Sequence, residues 1–510
     1  MRSIRTRLGI GKIAFAGVLC LIVLAVCALS ARGQEKTAES RGVKLLREGR
    51  FKEAVVQLDD ELKNDPGSKR LGIARVKGLL EVGRWQEALA DARAMDAKSP
   101  SDPELKLLLG DCYFFAFRPA DAMREYGPVL DDSRWGETAL AKYGNAAVAS
   151  GDDRAALAAI ERARANRRRL SETSRFMEVT LTPDPKEKVR LLGPLVEILP
   201  KSKAVADALA LNEALSKAGP STTVPPVRYP DQAKVKEIYG EPCVRGRLDG
   251  RRKVWLAFDT GGESTLLNAD LARKLNLPRL ADATYAGWGY EGVRKSESVL
   301  VKSLEVAGLT MRNTFVVVNQ RDTEHWTNKA GYIGLGPFRR NVIFYDRRHG
   351  HFQLWPAGTP AGKISTERGV TLPILWANGV PIVPVGLMGK GPYPFLLDTG
   401  APFTLFASKY ARRLDIRVNT GKFGKLYGLG LSGAFTSDIA EQVTMSVGPH
   451  VYYRRHAFVT DVPQRFPVPV YGILGRDVLN DYKIIFDCPG NTVTLLPYDR
   501  WLKDDLKRGD

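Results

Sequence analysis

The chain has 510 residues, 44% of them hydrophobic and 26% charged, a composition that builds packed cores and excludes a largely disordered protein. That length is too great for one core and implies about three units of roughly 100–200 residues each. The 76 Lys and Arg outnumber the 57 Asp and Glu, for a formal net charge of +19. The basic residues are scattered, however (Arg167–Arg169, Arg251–Lys253, Arg412/Arg413), and no nucleic-acid motif accompanies them. Nucleic-acid binding is therefore not expected, and an acidic partner or an anionic membrane surface fits the charge better.

At the N-terminus Arg2, Arg5, Arg7 and Lys12 precede the apolar run "IAFAGVLCLIVLAVCALSA", residues 13–31. A basic stretch, an apolar stretch and small residues before polar sequence make an export signal, cleaved near Ser30 or Gly33. The run is long for a leader and also suits a retained membrane anchor. Either way residues 1–33 place the remainder outside the cytoplasm, periplasmic or extracellular. Beyond this segment the cysteines are Cys112, Cys243 and Cys488, which form no disulfide framework. Cys112 reads as a core residue, and a Cys243–Cys488 bridge is left open.

Residues 34–217 are predicted to be helical repeats. "GRFKEA" begins at Gly49, "GRWQEA" at Gly83, "FRPADA" at Phe117 and "GDDRAA" at Gly151, each 34 residues after the last. Ala54, Ala88, Ala122 and Ala156 fall in phase, where small side chains let two helices approach closely. The pattern resembles the tetratricopeptide repeat family over roughly residues 37–170. A degraded further unit runs through "KEKVRLLGPLVEILP", and "AVADALALNEALSKAG" reads as a closing helix. The resemblance implies a surface that receives a protein partner; the plainer reading is that the helices pack on the other domain. "GPSTTVPPVRYP" then breaks the helical pattern, and residues 218–234 read as an interdomain linker.

From about residue 240 short runs rich in Val, Leu and Phe alternate with glycine, a β-sheet pattern. "WLAFDTGGESTLLNADLARKL" (255–275) matches "PFLLDTGAPFTLFASKYARRL" (394–414) at an offset of 139, with Thr265/Thr404 and Leu266/Leu405 in register. One Asp-Thr-Gly is a weak signal; two in matching context are a duplication. Upstream, Leu248/Leu387 and Gly250/Gly389 align as hairpins feeding the aspartates. Downstream, "GWGYEG" (287–292) parallels "GLGLSG" (428–433), and "YIGLG" (332–336) parallels "YGILG" (471–475). Two lobes follow, at 235–356 and 373–500, joined by a linker at 357–372 and trailed by a tail at 501–510.

These lobes resemble the retropepsin-like aspartic protease family, on the hydrophobic-Asp-Thr-Gly turn, the glycine-rich flap and the later "ILGRD" segment. The fold class expected is thus multidomain: an all-α tetratricopeptide-type solenoid followed by an all-β double acid-protease barrel. The resemblance implies Asp259 and Asp398 as a catalytic dyad, one from each lobe of a pseudo-dimeric monomer. Thr260, Gly261, Thr399 and Gly400 would support it, the threonines by cross-linking the turns. Two carboxylates face to face cannot both ionise cheaply, so they share a proton and divide acid and base roles over a bound water. Trp288, Gly289 and Tyr290, with Gly428 and Gly430, are the flap residues expected to cover a peptide, although the aromatics equally suit packing on their own lobe. Gly262 departs from the family's usual Ala or Ser, and Glu263 places a second acid near the dyad.

Other acids read as structural. Asp346 and Asp487 suit turns, and Asp282, Asp438 and Asp477 suit surface or capping positions. His325, His349, His351, His450 and His456 lack ligand spacing, so neither a metal nor another cofactor is expected. The function expected is an exported aspartic endopeptidase whose substrate is a peptide or protein. The competing expectation is a non-cleaving peptide-binding adaptor on the same scaffold.

Overall fold

The computed structural model describes residues 39–166, 168–286, 293–319, 329–411, 413–414, 416–419, 426–430, 433–462 and 468–498. The export segment and the C-terminal tail lie outside them. Among the described residues no helix is long and apolar enough to cross a membrane.

Antiparallel helical hairpins build the N-terminal region. Helices α1 (Arg41–Arg47) and α2 (Phe51–Asn64) are followed by α3 (Lys69–Glu81) and α4 (Trp85–Lys98), then α5 (Pro103–Phe115) and α6 (Pro119–Tyr126). Helices α7 (Gly136–Ala149) and α8 (Asp153–Ala165) complete the in-phase repeats. The four phased alanines are all fully buried, Ala54, Ala88, Ala122 and Ala156 each at 0% exposure. A larger side chain there would push apart the helices that the alanine lets meet. Asp102 caps α5 by accepting from the Glu104 and Leu105 amides, ahead of Pro103 at the first helical position. Three more helices follow, α9 (Glu172–Leu181), α10 (Pro185–Ile198) and α11 (Lys203–Ala218), the last two at the degraded unit and closing helix.

Residues 218–234 do more than connect. Strand β1 (Thr222–Val224) pairs with β8 (Leu309–Asn319), and β2 (Asp231–Ile238) starts the first lobe. In that lobe β3 (Glu241–Leu248) and β4 (Arg252–Phe258) form the hairpin that delivers Asp259. In the second, β14 (Val380–Leu387) and β15 (Lys390–Leu397) form its copy and deliver Asp398. Both hairpins turn through two successive left-handed residues, Asp249–Gly250 and Met388–Gly389, and the turn type matches the strand twist. Flap hairpins occupy corresponding places. One pairs β6 (Arg279–Ala286) with β7 (Val293–Val306), and the other pairs β18 (Leu426–Gly430) with β19 (Gly433–Val447).

The lobes share a sheet. Strand β10 (Asn341–Asp346) of the first pairs antiparallel with β22 (Tyr482–Asp487) of the second. Strand β11 (His351–Pro356) extends the sheet on one side, and β23 (Thr492–Pro497) and β12 (Val370–Pro373) extend it on the other. Phe258, one residue before Asp259, lies edge-on to Phe352 and Phe486 across this sheet at centroid distances of 5.2 and 6.1 Å. The aspartate strand is thereby seated on a floor built by both lobes.

The solenoid docks on the second lobe through the turns within its hairpins. Trp85 meets Tyr393 edge-on at 5.5 Å, and Glu81 pairs with Arg413. The Arg413 guanidinium also lies 4.3 Å over the Phe51 ring. Asn491 donates to the Ser150 carbonyl at 2.7 Å and accepts from the Trp376 indole at 2.6 Å. Buried side chains of α3, α4 and α5 join those of the lobe in one apolar cluster. At the other end of the solenoid, α11 packs along β6, the outer flap strand of the first lobe.

One sequence expectation changes and two open alternatives are resolved. The lobes' later segments align two residues out of the expected step. The Asp259 amide bonds the Ile333 carbonyl and the Asp398 amide the Leu474 carbonyl, so Gly334 corresponds to Gly475. A longer insertion before the second copy shifts that frame without disturbing the strand pairing. Of the surface or capping roles open to Asp477, the structure shows a capping one, its Oδ1 accepting from the Thr404 amide at 2.8 Å and the Thr404 hydroxyl at 2.7 Å. Cys112, Cys243 and Cys488 are all buried free thiols, so the bridge left open between the last two is not formed.

Candidate active site

Strand β4 runs parallel to β9 (Gly331–Ile333), and β15 runs parallel to β21 (Gly472–Leu474). Each aspartate amide takes the next bond of its ladder, to Ile333 or Leu474 at 3.0 Å, so each Asp is the last residue held in extended form. The Thr-Gly turn then reverses the chain and leaves the carboxyl group at the seam between lobes.

The two turns are cross-bonded. The Thr260 hydroxyl donates to the Leu397 carbonyl at 2.7 Å and accepts from the Thr399 amide at 3.0 Å. The Thr399 hydroxyl donates to the Phe258 carbonyl at 2.6 Å and accepts from the Thr260 amide at 3.1 Å. Both threonines are essentially inaccessible to solvent. Four bonds across a buried seam are costly to leave unmade, which makes the relative placement of the turns rigid.

Above this brace Asp259 and Asp398 lie together, 9% and 8% exposed. A Cβ on Gly261 would sit 2.5 Å from the Asp398 carboxyl carbon, and one on Gly400 would sit 2.6 Å from Asp259 Oδ1. Each glycine therefore marks where the opposite carboxyl group touches its backbone. Burial raises both carboxyls above their ordinary range. Asp259 goes well above it, because the charge of Asp398 and a hydrogen bond shared with it also favour the protonated form.

Of the expected site residues, the structure brings together Asp259, Thr260, Gly261, Asp398, Thr399 and Gly400. Gly428 and Gly430 are on β18 of the second flap, opposite Phe435 and Gly433. Trp288, Gly289 and Tyr290 fall outside the described residues. Glu263 is exposed, and a further acid whose charge raises Asp259 is Glu241 at the start of β3. Its carboxylate pairs with the buried Lys329 ammonium and accepts from the Tyr332 hydroxyl at 3.3 Å; Lys329 also donates to that hydroxyl at 3.0 Å. Nothing in the Asp-Thr-Gly match points to Glu241. Its counterpart in the duplicated hairpin is Val380, and that mismatch was the one available signal.

The aspartyl protease family model matches the chain twice, over residues 244–335 and 383–478. A comparison with curated proteins found no match. Among solved structures the chain is similar to an aspartic proteinase from Irpex lacteus, at 12% identity over 52% of this chain and 97% of that one, with a TM-score of 0.35. It is also similar to a tetratricopeptide repeat protein from Parabacteroides merdae, at 14% identity over 34% of this chain and 69% of that one, TM-score 0.29. A tetratricopeptide repeat protein from Thermus thermophilus is 18% identical over 34% of this chain and 95% of its own, TM-score 0.27. The C-terminal half of the chain thus matches the aspartyl protease family model twice, once around Asp259 and once around Asp398, behind a solenoid of helical hairpins.

Proposed function

We propose that the protein is an exported aspartic endopeptidase. The observation that carries this reading is the placement of Asp259 and Asp398 against each other's turn glycines, above the crossed threonine bonds. A buried carboxyl pair of this kind holds one proton between two groups at mildly acidic to neutral pH. The ionised member removes a proton from water as its oxygen attacks the peptide carbonyl carbon. The protonated member gives its proton to the carbonyl oxygen. The resulting diol collapses with cleavage of the C–N bond as one diol hydroxyl returns its proton to the carboxylate that gave it, and the proton taken from water passes to the leaving nitrogen. The brace contributes by holding both carboxyls in place before substrate arrives.

An extended peptide lying between the lobes would pair with the flap strands, and alternate side chains would enter pockets on each wall. Export is supported by the basic and apolar N-terminal segment. The solenoid's turn edge is occupied by the second lobe, which supports an intramolecular bracing role before any recruitment of a partner.

The test is cleavage of a peptide library by the purified full chain, beside Asp259→Asn and Asp398→Asn variants. Turnover by wild type alone is expected. Cleavage that survives both substitutions overturns the dyad, and binding without cleavage by wild type favours the adaptor instead.

A further inference from the structure

The hairpin that delivers Asp259 carries a charged face that its copy in the second lobe lacks. Alternate residues of a strand share a face, and on the outer face these are Lys234 and Lys236 of β2, Arg245 and Arg247 of β3, and Lys253 and Trp255 of β4. Arg245 stands opposite Trp255, and Arg247 opposite Lys253. The Lys236 ammonium is 4.5 Å from the centroid of the Trp255 ring, and the Arg245 guanidinium is 4.9 Å from it. Arg245 and Trp255 are half-buried, and the other four side chains are exposed. The intervening Val235, Val244 and Val254 face the core and are buried. At the hairpin turn Arg251 and Arg252 add two more exposed cations.

Among the described residues none of these cations is paired with a carboxylate. The acid nearest in register is Glu305 of β7, opposite Arg247. Asp249, in the hairpin turn, accepts from the Ser303 amide at 2.9 Å. Like charges directly opposite each other destabilise a strand pair, so Arg247 facing Lys253 is a cost to the hairpin. The hairpin does not need that arrangement. At the offset of 139 the second lobe has Pro384, Gly386, Pro392 and Pro394 in place of Arg245, Arg247, Lys253 and Trp255. Pro384 pairs with Pro394 there as Arg245 pairs with Trp255, and that copy delivers Asp398 without a charge on the face.

We propose that this outer face of β2, β3 and β4 is a docking surface for an anionic phospholipid bilayer. Neighbouring strands lie about 4.8 Å apart and alternate residues about 6.8 Å apart, so the cations are spread over a sheet face that can meet a plane of phosphates. Lys and Arg carry apolar stems beneath their charges, and an indole among them suits the headgroup layer. The sequence supplies an independent element directed at a membrane, the basic residues followed by the apolar run 13–31. Stable attachment commonly combines an apolar anchor with a basic patch. Where the leader is removed, the patch alone gives a reversible association that salt weakens. An acidic protein would match the charge but would leave the apolar run without a part in the docking. The proposal goes beyond the peptidase reading and does not depend on it.

Vesicle flotation of the full chain tests the surface. The protein is mixed with vesicles of phosphatidylcholine alone or of phosphatidylcholine with phosphatidylglycerol. Residues 13–31 contribute to both, so the ratio of the two affinities reads the patch. Wild type is expected to bind the anionic vesicles at least about tenfold more tightly, and to lose that preference in molar salt. The combined variant Lys234→Gln, Arg247→Gln, Lys253→Gln leaves the contacts of Trp255 in place and relieves the facing like charges. It is expected to melt no lower than wild type and to lose most of the preference, with binding to neutral vesicles unchanged. A control variant, Arg70→Gln, Lys77→Gln, Arg154→Gln, removes three exposed cations of the solenoid and is expected to keep the preference. Equal binding of wild type to both vesicles, a patch variant that behaves as wild type, or equal loss in both variants overturns the proposal. Binding of polyglutamate or duplex DNA that the patch variant loses, without any lipid preference in wild type, also overturns it and gives the face to an acidic macromolecule.

Discussion

Thr260 and Thr399 bond each other's turns with near-equal geometry, each hydroxyl donating to a carbonyl of the opposite lobe and accepting the opposite threonine's amide. The brace is symmetric, and the carboxyl groups above it are not.

Removing either carboxyl group should abolish the acid or the base. Asp259→Asn and Asp398→Asn are each expected to lower kcat by about 10²–10⁴-fold or more. Steady-state kinetics on a peptide cleaved by wild type provides the measurement.

The brace predicts a stability loss with a specific rescue. Thr260→Val keeps the shape but leaves the Leu397 carbonyl and the Thr399 amide without their buried partner. Each such group costs about 1–3 kcal/mol, read as a lower urea midpoint. Thr260→Ser keeps the hydroxyl and is expected to recover most of it, an outcome that a loss of packing alone would not give.

Adjacent glycines should answer differently to the same change. Gly261→Ala drives a methyl group into the Asp398 carboxyl and is expected to eliminate turnover. At Gly262 a Cβ meets nothing closer than 3.5 Å, an ordinary contact. Gly262→Ala is therefore expected to stay folded, with activity within a few-fold of wild type. Inactivation by Gly262→Ala would show that the turn needs freedom the structure does not display.

Stability should carry the signature of the buried dyad. Asp259 is raised in the folded state by burial first and then by the Asp398 charge. A carboxyl raised on folding contributes its stability fully below its unfolded pKa of about 3.9 and loses it as pH rises through the folded value. Asp259→Asn lacks that loss, so its Tm relative to wild type is expected to increase with pH above about 4. Thermal melts across the acid and neutral range test the sign, and a difference that shrinks with pH contradicts the burial account.

Docking of the solenoid predicts shared unfolding. Trp85 is buried between α4 and Tyr393, and its replacement by Ala should cost about 3–5 kcal/mol. Because the apolar cluster is continuous, the solenoid and second lobe are expected to melt together in wild type and to separate in Trp85→Ala.

The duplication, the repeat phase and the aspartate pair were legible in the sequence because each depends on local requirements repeated at intervals. A turn that must reverse needs glycine, and helices that must touch need alanine, wherever the unit recurs. Hidden from such a reading were Glu241, Lys329 and Tyr332, which share no motif and meet only when β3 and β9 flank β4. Which group Asp477 caps was also hidden, because its partner, Thr404, is 73 residues away in the chain. The use of the solenoid's turns against the second lobe was equally invisible, since an aromatic residue at a turn looks the same whether it awaits a partner or already has one. The sequence by itself determined that two carboxyl groups would end equivalent strands in equivalent turns. Only the tertiary structure decided that their surroundings differ, because backbone amide direction and charges from distant strands are set by packing and leave no periodic trace.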